Sequence, residues 1–77
     1  MKTYEVIKEE YLPCTGNMVP DRREILELQL DNPAMYVQDL YKQERSVEFL
    51  ATQQESGPVI EAHLEGGRKH RYIFSEI

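Results

Sequence analysis

In the segment VIEAHLEGGRKHRYIFSE, residues 59–76, two alternating sequences flank Gly66-Gly67. Two turn-forming residues between alternating segments indicate a β-hairpin, and Gly-Gly suits the primed turns because these need positive φ angles. The pattern therefore predicts a fourth strand at residues 59–65 and a fifth at residues 68–76.

A two-residue loop also fixes which side chains face each other. It pairs Glu65 with Arg68 and His63 with His70, and the pleat then divides the hairpin between two faces. The more apolar face, which we assign to the core, holds Ile60, Ala62, Leu64, Lys69, Arg71 and Ile73. The outer face holds Val59, Glu61, His63, Glu65, Arg68, His70, Tyr72 and Phe74.

The segment 23–31 admits two interpretations. Leu26, Leu28 and Leu30 alternate with polar residues, which is the period of a half-buried strand. An acidic pair near its start has the spacing of a capping box, and most of its residues favour helix. A helix would scatter the leucines over much of its circumference, so we predict a strand.

The remaining segments complete an α+β chain. Residues 3–11 and 47–52 alternate and predict strands, residues 12–22 predict a loop, and residues 33–45 predict a helix. The predicted fold is a small, mostly antiparallel sheet in the order ββαβββ, with one helix packed on one face. We expect residues 1–77 to form a single domain.

The helix has the clearest local signals. Asn32 supplies a capping oxygen before Pro33 at the first helical position, and Val37, Leu40 and Tyr41 form one apolar stripe. The predicted core consists of Val6, Leu26, Leu28, Leu30, Val37, Leu40, Tyr41, Phe49, Ile60, Leu64 and Ile73.

The composition excludes several classes of protein. With 9 basic and 14 acidic side chains, the 77 residues carry a net charge of -5. Proteins that bind duplex nucleic acid usually carry the opposite charge. One cysteine excludes an internal disulfide framework, and no apolar run resembles a signal peptide or the roughly 20 residues of a membrane span. We therefore expect a cytoplasmic protein that does not bind membranes.

A basic segment near the end of the sequence is a candidate anion or nucleic-acid site. It contains Arg68, Lys69, Arg71 and Tyr72, and basic residues interleaved with an aromatic ring are typical of single-strand binding. The same charges also serve to protect a terminal strand from edge-to-edge pairing. Because the rest of the chain is acidic, nucleic-acid binding is the alternative rather than the main prediction.

Metal and catalytic chemistry have weaker signals. The predicted register makes His63 and His70 a cross-strand pair near two glutamates, which is a candidate zinc or nickel site. Cys14 with either histidine is a conceivable nucleophile and base, but its neighbours match no known nucleophile setting. We predict no catalytic residues, no cofactor and no enzyme activity, with the histidine pair kept as the metal candidate.

The predicted function is therefore a small protein-interaction or regulatory module. Val59, Tyr72 and Phe74 lie on the outer face of the predicted hairpin, where they form an apolar surface that one helix cannot cover. We expect this surface to bind another protein or a second copy of the chain.

Overall fold

In a computed structural model, the described residues 1–13 and 19–77 fold into a five-stranded sheet and one short helix. Strands account for 60% of the structure and helical turns for 17%. The elements in chain order are β1 (Lys2–Tyr11), β2 (Arg22–Leu30), α1 (Pro33–Leu40), β3 (Val47–Gln54), β4 (Gly57–Leu64), a 3-10 turn (Glu65–Gly67) and β5 (Lys69–Glu76). Within these ranges, no helix is long and apolar enough to cross a bilayer.

The predicted order ββαβββ is wrong for the sheet, because strands that follow each other in the chain are not always neighbours in the sheet. The strands lie side by side in the order β2-β1-β5-β4-β3, and each neighbouring pair is antiparallel. α1 carries the chain from edge strand β2 to the opposite edge strand β3. The following two hairpins then bring β5 to the centre, where it pairs with β1.

The helix begins where the sequence predicts and ends earlier. The side-chain oxygen of Asn32 accepts a hydrogen bond from the backbone N–H of Met35 at 3.3 Å, which confirms the predicted cap. The helix ends at Leu40, because the N–H of Tyr41 bonds the carbonyl of Gln38 at 3.1 Å and Tyr41 leaves the helical conformation. Leu40, the last residue of the helix, is 50% exposed, so its predicted place in the core is wrong.

The core lies between α1 and one face of the sheet. Phe74 is at its centre, with the rings of Tyr4 and Tyr36 in edge-to-face contact at 5.9 and 6.4 Å between centroids. The buried cluster consists of Tyr4, Val6, Val37, Tyr41, Ile60, Ala62, Leu64, Tyr72 and Phe74. The predicted core residues Leu26, Leu28, Leu30 and Phe49 pack against this cluster and are partly buried.

The β4–β5 hairpin has a three-residue loop, so its predicted register is wrong by one residue. The N–H of Leu64 bonds the carbonyl of Arg68 at 2.8 Å, and the two glycines between them have φ angles of 82° and 81°. His63 consequently pairs with Lys69 rather than with His70. A one-residue shift moves every side chain of β5 to the opposite face.

The consequences of this shift differ between the two strands. The core positions predicted for β4, Ile60, Ala62 and Leu64, are confirmed. On β5, Tyr72 and Phe74 enter the core, whereas Ile73, predicted to be in the core, lies on the opposite face.

Gly57 permits a close approach between the β3–β4 turn and β5. Its φ angle is 147°, and an added Cβ would lie 2.3 Å from the carbonyl oxygen of Phe74. Only glycine combines this backbone conformation with the absence of a clashing side chain.

Candidate interaction surface

The candidate site is the sheet face that points away from α1, which we call the distal face. The strand registers place alternate residues of every strand on this face. Its central residues are Ile7, Glu9, Tyr11, Arg23, Ile25, Leu50, Val59, Glu61, His63, Lys69, Arg71 and Ile73.

An apolar row crosses the middle of the distal face. Ile25 pairs with Ile7, Ile7 with Ile73, and Ile73 with Val59, so that four β-branched side chains lie side by side on β2, β1, β5 and β4. Ile25 is 65% exposed, and the other three are partly buried. The row gives the distal face an apolar strip across four neighbouring strands.

A charged row of alternating sign lies beside the apolar row. It consists of Arg23, Glu9, Arg71 and Glu61, taken in order from β2 to β4. Arg23 donates to Glu9 at 2.8 and 3.2 Å, and Arg71 donates to Glu61 at 2.9 Å. Arg71 also lies 3.8 Å from Glu9, which links the two pairs. The charges are thus held in fixed positions by one another.

Hydrogen bonds hold both carboxylates of this row in place. Although partial burial acts in the opposite direction, hydrogen bonds from His63 and Arg71 lower the pKa of Glu61 below its usual value. Glu9 is only 5% exposed, and its carboxylate also accepts a hydrogen bond from Tyr11 at 3.0 Å. Both carboxylates therefore act as fixed acceptors for neighbouring donors.

Tyr11 extends the charged row toward the end of β1. Lys69 lies 4.6 Å and Arg71 5.3 Å from the centre of its ring, which are cation–π distances. Burial and the hydrogen bond to Glu9 raise the pKa of Tyr11, so its hydroxyl stays protonated and donates. The basic side chains of β5 are therefore engaged with partners in the same chain.

A second polar cluster lies on the core side of the sheet. The hydroxyl of Tyr41 lies 2.5 Å from Nδ1 of His70 and 2.6 Å from the hydroxyl of Tyr72. Nε2 of His70 lies 3.4 Å from a carboxylate oxygen of Glu10. These four residues form a chain of polar contacts from the buried core to the partly exposed end of β1, which we call the Tyr–His chain.

The direction of the Tyr–His chain follows from its chemistry. Because Nε2 of His70 faces a carboxylate, the neutral ring carries its hydrogen there and Nδ1 accepts from Tyr41. Tyr72 then donates to Tyr41, and every group has a partner. Burial lowers the pKa of His70 despite the opposing effect of Glu10, and burial raises the pKa of both tyrosines. The arrangement therefore favours neutral phenols and a neutral imidazole, and it stabilises the core.

The structure separates the residues of the predicted sites. Lys69 and Arg71 lie on the distal face and Arg68 is exposed beside the turn, whereas Tyr72 is 1% exposed in the core. Val59 lies on the distal face, but Phe74, its predicted partner in an interface, is fully buried.

The two histidines lie on opposite faces of the sheet. His63 contacts Glu61 on the distal face, and His70 contacts Tyr41 on the core side. Among residues 1–13 and 19–77, no group of three or more His, Cys, Asp or Glu side chains is arranged to hold a metal ion. Cys14 lies outside the described residues.

A cavity of about 580 Å³ lies at the other end of the core side. It is lined by Lys2, Tyr4, Pro33, Gln53, Glu55, Ser56, Gly57, Pro58 and Glu76. Two of these residues, Lys2 and Glu76, form an ion pair at 3.4 Å, and their side chains are more than half exposed. Its polar groups are thus largely hydrated, and it offers little apolar surface for a ligand.

Sequence reasoning missed Ile7, Ile25, Glu9 and Arg23 as members of one surface. A signal was present in β2, where Ile25 and Leu26 are adjacent and must point to opposite faces of a strand. Apolar residues on both faces indicate a sheet with two surfaces to cover. Comparison of the chain with known family models, with curated proteins and with solved structures gives no match.

Proposed function

We propose that this chain is a non-enzymatic protein-interaction module that binds another protein through its distal face. The observation that carries the proposal is the apolar row, which runs from Ile25 to Val59 between rows of polar and charged side chains. Protein interfaces commonly combine an apolar centre with a polar rim. The distal face has this composition.

The charged row supports the same proposal through its fixed geometry. Arg23 and Arg71 are each held by a carboxylate within the chain, so their positions are set before a partner arrives. Preorganised side chains lose less conformational entropy on binding. Their alternating signs also favour one orientation of the partner over others.

The alternative, a nucleic-acid accessory protein that uses residues 68–72, has less support. Stacking on a base requires an accessible ring, and Tyr72 is 1% exposed. Arg71 is paired with Glu61 within the chain. Lys69 lies over the ring of Tyr11, which leaves Arg68 as the exposed cation of the basic segment on a chain whose net charge is -5. We further propose the cytoplasm as the compartment, since the single cysteine gives no intrachain disulfide.

Site-specific photo-crosslinking tests the proposal. A photoreactive amino acid replaces Gln29, which is exposed on the distal side of β2, or Gln38, which is exposed on α1. Both positions hold glutamine in the native chain, so they form a matched pair. We expect a discrete protein adduct from position 29 in the native host and none from position 38.

A second step shows whether the adduct depends on the apolar row. Adding Ile25→Glu to the position-29 probe should remove the adduct, because it places a charge in the apolar row of the interface. Adducts from position 38 alone, or a position-29 adduct that persists with Ile25→Glu, would refute the distal face as the binding surface. Circular dichroism checks that each variant is folded.

A further inference from the structure

We propose that the partner bound by the distal face is a second copy of this chain. The two copies are related by a two-fold axis that lies in the interface and runs parallel to the strands, between β1 and β5. This inference rests on the proposed function, because it names the partner of the same surface. It follows from a symmetry in the order of the charges and apolar side chains across the sheet.

A two-fold interface must be complementary to itself, because each patch meets its own copy. An axis between β1 and β5 places β1 over β5 of the second copy and β2 over β4 of the second copy. Each row of the distal face then meets the same row in reversed order. The interface is therefore complementary only where a reversed row fits the original row.

The charged row passes this test at every position. Its signs from β2 to β4 are positive, negative, positive and negative, and reversal exchanges the signs at each position. Arg23 meets Glu61 of the second copy, and Glu9 meets Arg71 of the second copy. Glu61 then keeps Arg71 of its own copy and gains a second cation across the interface, which offsets its loss of water. Glu9 already contacts Arg23 and Arg71 of its own copy and gains a third cation.

The neighbouring rows are compatible with the same axis. Ile7 meets Ile73 of the second copy, and Ile25 meets Val59 of the second copy, so the apolar row covers itself. Glu5, which pairs with Ser75 in the sheet, meets Ser75 of the second copy rather than another carboxylate. Like charges therefore do not meet along this row.

A two-fold axis perpendicular to the strands fails. Such an axis along the apolar row would place each strand over itself, so that Arg23 met Glu27 of the second copy but Glu9 met Glu5 of the second copy. Opposed like charges cost free energy when they are removed from water. The charge pattern thus selects the axis that runs along the strands.

The part of the distal face that overlaps about this axis approaches the size of a standard interface. About this axis, β2, β1, β5 and β4 are covered by strands of the second copy, and β3 lies outside the overlap. With strands about 4.8 Å apart and a rise of about 3.3 Å per residue, four strands of 8 residues cover on the order of 500 Å² in projection. Side-chain relief increases this area toward the roughly 800 Å² that each partner buries in a standard interface. Two sheets packed face to face at about 10 Å would form a sandwich.

Sedimentation velocity of the full chain over a wide concentration range tests the inference. Wild type should convert from monomer to dimer as its concentration rises. Ile25→Glu and Val59→Lys should each weaken self-association by more than about tenfold, because each dimer would contain two charges against apolar side chains. Leu40→Glu, on an exposed residue of α1, is the matched control and should leave the dimer unchanged.

The axis makes a sharper prediction for a mixture of the two weakened variants. In a heterodimer of Ile25→Glu with Val59→Lys, the two new charges face each other, and the other contact is the native Ile25–Val59 pair. Mixing should therefore restore dimerisation. Dimers of both variants at wild-type strength, or no recovery on mixing, would overturn the proposed axis.

A measurement on wild type avoids any effect of the variants on folding. In one copy, Ile25 and Val59 are three strands apart, about 14 Å, which is too far for a nuclear Overhauser effect between their methyl groups. A mixed sample with isotope-labelled and unlabelled chains should show this effect across the interface. Its absence in a dimer would overturn the axis.

The outcomes also distinguish this inference from the proposed function. A monomer at every concentration, with a position-29 adduct to a different protein, would overturn the second copy and retain the distal face as the binding surface. A dimer that is insensitive to Ile25→Glu, with no position-29 adduct, would overturn both.

Discussion

Removing the hydroxyl of Tyr41 should destabilise the protein more than removing that of Tyr72. Tyr41→Phe breaks two contacts, at 2.5 Å to His70 and 2.6 Å to Tyr72, and leaves the Tyr72 hydroxyl without a partner where that residue is 1% exposed. A lost hydrogen bond costs about 0.5–1.5 kcal/mol, and an unsatisfied buried group costs about 1–3 kcal/mol. We expect a loss of about 2–4 kcal/mol in the free energy of unfolding.

Tyr72→Phe provides the matched comparison. It removes one hydrogen bond and leaves Tyr41 free to donate to His70, so the expected loss is about 0.5–1.5 kcal/mol. Added to Tyr41→Phe, the same change should be neutral or stabilising, because it removes the unsatisfied hydroxyl. Urea denaturation of the two single variants and the double variant gives the coupling directly. Equal losses for the two single variants, or simple additivity in the double variant, would refute the central place of Tyr41 in the Tyr–His chain.

Three further predictions concern pH and packing. Burial lowers the pKa of His70 in the folded state, so the neutral ring contributes its full stabilisation above the unfolded pKa of about 6.5. The free energy of unfolding should fall as the pH drops from there to the folded pKa, by at most about 1.4 kcal/mol per pH unit. In urea titrations at several pH values, His70→Gln should weaken this dependence. Gly57→Ala should cost several kcal/mol, on the order of 3, because its Cβ would lie 2.3 Å from a carbonyl oxygen of β5, and a normal melting temperature would contradict the described approach. Val37→Ala should cost roughly 2 kcal/mol and Leu40→Ala under about 0.5 kcal/mol, and the reverse order in denaturation would place the wrong residue in the core.

Local signals in the sequence predicted the start of α1 and the core face of β4. Asn32 and Pro33 act through their own backbone geometry, and the alternation of Ile60, Ala62 and Leu64 depends only on the pleat. Such features need no knowledge of distant residues. They could therefore be predicted from the sequence alone.

The faces of β5 could not be read in the same way. They depend on whether the hairpin loop holds two residues or three, and Gly-Gly is compatible with both, since each glycine has positive φ in the observed turn. Both faces of β5 are also mixed in character, because Arg71 and Ile73 alternate with Tyr72 and Phe74. The side chains of β5 therefore do not show which face is buried. An error of one residue in the length of the loop exchanged the two predicted faces of this strand.

The order of the strands in the sheet could not be predicted from the sequence for a related reason. It depends on the pairing of β1 with β5, which joins residues from opposite parts of the chain, such as Tyr4 and Glu76. No local pattern specifies such a pairing. The rows of the candidate site cross both of these strands, so the sequence alone could not predict the site either.

The same pairing has a consequence for how the protein forms in the cell. β5 is translated after the other strands, so a nascent chain can make the β1–β2 hairpin while the other edge of β1 still lacks its partner. The β1–β5 pairing joins residues that are far apart in the sequence, and this high contact order predicts slow folding. An unpaired β-edge invites pairing with another chain, and exchange of β5 between two nascent copies would give a domain-swapped dimer. Such a dimer would separate only by unfolding, whereas sheets packed face to face would separate on dilution.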